Sequence, residues 1–165
     1  MINFAGDFLT LFLPLFVALL LGALIGIERS IAGKTAGMRT YGLVAMSATL
    51  FILTSQLLPD DMQGDVLRFP AGIISGIGFI GAGLIIFKKE QSTLSGLTTA
   101  AGLWICAGVG IAVGYGFYAL ALAATLLTLV VFSLLWDFEQ VLVKAAQARG
   151  IYSEEEKEEK QAYEK

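Results

Sequence analysis

The chain has 165 residues, of which 56% are hydrophobic and 15% charged, with a formal net charge of −3 and no histidine. A mean hydropathy of +0.76, carried in long apolar blocks, excludes an ordinary soluble domain and defines an integral membrane protein. With Cys106 as the single cysteine, an internal disulfide, a Cys/His zinc site, a CxxC redox pair and a Ser-His-Asp triad are excluded, so no enzymatic activity is expected.

The first block, Phe8 to Ile27, is uncharged over about 20 residues, enough to cross a ~30 Å hydrocarbon layer at ~1.5 Å per residue. It lacks a basic leader and an obvious small-residue cleavage site, so it reads as a retained helix and not a secretory signal. Ala18, Gly22 and Gly26 form a small-residue face on it. Glu28, Arg29, Lys34 and Arg39 then follow in a short charged segment ending at Thr40. A second span is expected from Tyr41 to Leu58, followed by a loop carrying Asp60, Asp61 and Asp65. That loop could gather divalent cations, though acidic residues are also simply tolerated in such places.

The third span is expected from Pro70 to Phe87, with Pro70 in the first turn, where its missing N–H costs nothing. Gly72 and Gly76 repeat the small-residue spacing. Ser75, Gly76, Gly78, Gly81 and Gly83 concentrate so much glycine, each about 1 kcal/mol worse than alanine in a helix, that the segment is a candidate for a broken or distorted helix exposing carbonyls to a cation or a cavity. A nucleotide-binding loop is not, because no Lys-Ser/Thr follows. Gly96 to Gly114 and Phe117 to Trp136 form the fourth and fifth spans, separated by the turn signal Gly114-Tyr115-Gly116. Residues 1–136 thus form a transmembrane domain and 137–165 a helical tail. In that tail Phe138, Val141, Leu142 and Ala145 extend the last helix along the membrane surface, and Ser153 with Glu156 caps a short charged helix to Lys165.

The expected fold is therefore an all-α membrane protein of five transmembrane helices. Of the 11 Lys and Arg, only Arg68 falls opposite the others. The positive-inside rule then places the amino terminus outside and the carboxyl terminus in the cytoplasm. This topology gathers Glu28, Arg29, Lys34, Arg39, Thr40, Thr98 and Thr99 into one cytoplasmic polar site with the end of the glycine-rich helix. Glu28 and Arg39 are expected to pair there, since an unpaired charge in a partly dry setting costs several kcal/mol. Glu28 is also the candidate metal ligand. Gly22, Gly26, Gly72 and Gly76 are candidates for packing within the chain or for a homodimer face.

Glu28-Arg29 with Gly33-Lys34, Ala36-Gly37 and Arg39-Thr40, then Ser75 to Gly83, then Gly96 to Trp104 with Ala107 to Gly110, resemble the MgtC/SapB family of bacterial inner-membrane proteins. The resemblance covers about Pro14 to Trp136. It implies a multi-pass, virulence-associated inner-membrane protein linked to growth in low magnesium, with Mg²⁺ as the ion. Two roles follow from it: transport of the divalent cation, or regulation of another membrane complex such as the ATP synthase. Many relatives carry an ACT-like domain after the last span, and the 29 residues here from Asp137 are too few for one. A third reading is binding of phosphate or anionic lipid at Arg29, Lys34, Arg39, Lys88 and Lys89. No nucleic-acid partner is expected.

Overall fold

A computed structural model describes residues 4–58, 67–88 and 93–148. The helices are α1 (Phe4–Ile31), α2 (Met38–Gln56), α3 (Arg68–Leu84), α4 (Leu97–Gly114), α5 (Tyr118–Val130) and α6 (Trp136–Ala148). A π-helical segment, Val131–Leu135, joins α5 to α6. Among the described residues three stretches are long and apolar enough to cross a membrane, Phe8–Ile31, Leu97–Gly114 and Tyr118–Ala146, and α3 is a shorter apolar helix.

At the centre lies α4. It is apolar all round, and α2, α3, α5 and α1 all pack on it, while Ala101, Trp104, Ile105 and Gly108 leave one stripe exposed. The most extensive contact is between α1 and α2, and the weakest of the large helix contacts is between α2 and α3. Glycine sets the close approaches. A Cβ at Gly22 would lie 2.6 Å from the Tyr41 carbonyl oxygen, and one at Gly26 2.6 Å from the Met38 Cα. One at Gly114 would lie 2.6 Å from the Ile52 Cβ. In lipid, apolar side chains gain nothing by leaving the tails, so backbone proximity and interhelical hydrogen bonds hold the bundle. Thr49 Oγ1 donates to the Gly110 carbonyl at 2.7 Å, Tyr41 Oη to Thr99 at 3.2 Å and Gln56 Nε2 to Gly114 at 3.2 Å, which stitches α2 to α4 along its length.

Two expectations are corrected here. The glycine-rich segment is not broken: α3 is α-helical without interruption from Arg68 to Leu84. Where water is absent, every opened backbone hydrogen bond costs several kcal/mol, more than the propensity deficit of its glycines. The third span also stops at Leu84 and not Phe87. Ile86–Lys88 pairs antiparallel with Thr93–Ser95 in a short hairpin, in the register Phe87 to Leu94. Gly96, at φ +92°, turns the chain from this hairpin into α4. The last helix runs on past Trp136 to Ala148, as the spacing in the tail implies, while the helix expected from Ser153 and the acidic loop at Asp60, Asp61 and Asp65 lie outside the described residues.

Candidate functional site

The charged segment after α1 folds tightly because two glycines and one serine occupy fixed places in it. Gly33 takes φ +67°, which favours glycine, and closes α1 with two bonds, Lys34 N–H to the Arg29 carbonyl at 2.9 Å and Gly33 N–H to Ser30 at 3.2 Å. That is the double closure of a Schellman motif. Ser30 Oγ then accepts from the Met38 N–H at 3.1 Å while donating to the Gly26 carbonyl at 3.0 Å. Ser30 therefore serves the end of α1 and the start of α2 together. A side chain at Gly37 would collide with the Ser30 hydroxyl, which accounts for the second glycine.

This closure aims Arg29 inward. It is only 4% exposed, and its Nε and Nη2 both donate to Glu28, the latter at 2.7 Å. The guanidinium lies 3.8 Å from the centre of the Phe132 ring. Phe132 is buried on the π-helical segment. One turn further, Lys34 Nζ lies 5.4 Å from the centre of the Trp136 ring. Residues four apart share a helix face, so two cations leaving α1 meet two aromatic rings on one face of the last helix. Beneath them Gly102 of α4 packs so closely that a side chain would strike both Tyr41 and Phe132. Cys106 Sγ lies 3.1 Å from the Tyr41 carbonyl oxygen, buried in the same layer.

The predicted polar residues do meet at one end of the bundle, but they are wired differently. Glu28 pairs with its neighbour Arg29 and not with Arg39, which is exposed in the first turn of α2 beside exposed Thr40. Adjacent residues rarely face each other on a helix, yet the last turn leaves the Arg29 fork free to swing back onto a carboxylate. Thr99 is buried and Thr98 exposed. With both oxygens engaged by Arg29, Glu28 is a poor metal ligand, and no group of three acidic, Cys or His residues among those described could hold a metal ion. Gly22 and Gly26 are filled by α2 of the same chain, so that face is closed to a second copy. On α3, Ser75 is exposed, Gly72, Gly76, Gly78 and Gly83 face open space, and Gly81 rests on Ala100. Tyr41, Phe132, Trp136 and Cys106 escape the sequence reading. Only the four-residue spacing of Phe132 and Trp136 could have signalled them.

The apolar helices, the buried ion pair and the glycine-mediated contacts define a helical membrane protein. The model of the MgtC family matches residues 15–141. The chain belongs to that family. It is 47% identical over 113 residues to protein MgtC of Salmonella typhimurium (strain LT2), covering 68% of this chain and 47% of that one. It is 44% identical over 125 residues to protein MgtC of Brucella abortus (strain 2308), covering 76% and 51%. To YhiD of Escherichia coli (strain K12), whose name gives magnesium transport provisionally, it is 37% identical over 111 residues, covering 64% and 51%. The chain thus spans about half the length of the curated relatives it matches. No solved structure matches it.

Proposed function

We propose that this chain is a magnesium-linked protein of the bacterial inner membrane that acts by regulating another membrane complex. What supports this reading is how its oxygen atoms are used. Magnesium needs near-octahedral oxygen coordination. Among the described residues from 8 to 136 Glu28 is the one carboxylate, and both of its oxygens already accept from Arg29. The hydroxyls of Thr49, Thr54, Ser55, Thr125, Thr128 and Ser133 all donate to backbone carbonyls, and the α3 carbonyls stay within an unbroken helix. A partner helix would find a landing edge on α3, where Ala71, Ser75, Gly78 and Ala82 recur at helical spacing and are all exposed.

Full-length protein in sealed liposomes with a magnesium-sensitive dye inside is expected to give no uptake above empty vesicles, with insertion verified by protease protection. Uptake above that background would overturn the regulatory reading. Transport by the chain itself is the second reading, favoured by the name that YhiD carries, and the same assay decides between them.

A further inference from the structure

The weak contact between α2 and α3 leaves a cavity of about 720 Å³, within the range of small-molecule sites. Its floor is Ala107 of α4, and its walls are one face of α2 from Leu43 to Phe51 and one face of α3 from Arg68 to Ile80. The lining is apolar apart from Ser47 midway and Arg68 at one end, and it contains no acid. Gly72 and Gly76 leave the α3 wall without side chains, and no described residue lies within 4 Å of where their Cβ atoms would be. From Arg68 to Ile80 the wall extends ~18 Å at ~1.5 Å per residue, close to the ~15 Å depth of one leaflet of hydrocarbon.

We propose that this groove is a phospholipid site, with the phosphate held by Arg68 and one acyl chain lying along Gly72 and Gly76 toward the middle of the bilayer. The charge pattern matches that ligand at both ends. A guanidinium forks onto phosphate oxygens, and a smooth apolar trough accepts a chain with no polar group to leave stranded. Arg68 is exposed, and no described residue pairs with it. It is also the one basic residue on its side of the membrane by the charge count, so the retention of a cation there, against the usual bias, has a use. A second copy suits the groove less well. A two-fold dimer apposes the same patch twice, and a concave trough cannot fill another.

The test is native mass spectrometry of the full chain in detergent, titrated with phosphatidylglycerol and with diacylglycerol of the same chains. One phosphatidylglycerol per chain is expected to remain bound, with diacylglycerol at least tenfold weaker. Arg68→Gln should weaken phosphatidylglycerol at least tenfold. Gly76→Leu and Gly72→Leu, which project into the groove from an otherwise open helix face, should abolish it. Protection of Cys106 from maleimide shows that each variant is folded. Equal retention of diacylglycerol, or phospholipid binding unchanged by Arg68→Gln or by both glycine variants, would overturn the site. So would a dimer that disappears with Gly76→Leu in protein that retains no phospholipid, since a second copy would then occupy the groove.

Discussion

Arg29 serves two neighbours at once: the central carbon of its guanidinium lies over the Phe132 ring, 3.8 Å from its centre, and its donors fork onto Glu28. Only a guanidinium can stack and form a bidentate ion pair together. The contact ties the end of α1 to the π-helical segment of the last helix, 103 positions away in sequence. Segments of this kind are rare and occur frequently at functional sites.

Removing one member of that cluster should therefore cost far more than removing a neighbouring charge. Arg29→Gln strands Glu28 and is expected to destabilise the protein by roughly 3 kcal/mol, the low end for a broken buried pair because the Glu28 side chain is 22% exposed. Phe132→Leu should cost about 1–2 kcal/mol, and exposed Arg39→Gln less than about 0.5 kcal/mol. Thermal unfolding in detergent measures all three. Equal damage from Arg29→Gln and Arg39→Gln would mean that Arg29 has no special partner.

Glycine substitutions should divide by place and not by helix propensity. Gly22→Ala and Gly26→Ala each push a methyl group into α2 backbone atoms and should destabilise by roughly 1–3 kcal/mol. Gly78→Ala in α3 meets nothing within 4 Å and should be neutral or stabilising by up to about 1 kcal/mol. The yield of monodisperse protein on size exclusion and its unfolding midpoint provide the comparison. A Gly78→Ala protein as damaged as Gly26→Ala would count against the packing described.

The stitches between α2 and α4 should be modest and independent. Thr49→Val removes the bond to Gly110 and Tyr41→Phe the bond to Thr99, each worth about 0.6–1.7 kcal/mol within a membrane bundle. The two residues lie about two turns apart with separate partners, so the double variant should lose the sum within about 0.5 kcal/mol. A strongly non-additive result would point to a shared network.

As the single cysteine, Cys106 reports on the core without further engineering. It is buried against the Tyr41 carbonyl. Membrane-permeant maleimide should leave folded protein unlabelled and modify it fully once SDS has opened the bundle. Rapid labelling of folded protein would place α4 at the surface instead of the centre.

Orientation has its own test, motivated by Arg68 standing opposite the other ten basic residues. A reporter fused after Lys165 should be active when it requires the cytoplasm, and one fused before Met1 when it requires the outside. The reverse pattern would invert the topology.

The helices themselves were legible in the chain. The apolar blocks fall on α1, α2, α4 and α5, because length and charge placement are local properties that lipid reads directly. Gly33 and Gly37 entered only as letters of the family motif, and their roles in closing α1 and admitting Ser30 needed the structure. Partner choice was illegible for a physical reason. In a bilayer a helix is apolar toward lipid and toward protein alike, so periodicity does not reveal which face turns inward. The rotation of α1 about its axis and its crossing with the last helix decide that Arg29 meets Phe132 while Arg39 stays outside, and the close approach of α1, α2 and α4 at their glycines exists only once the bundle has assembled.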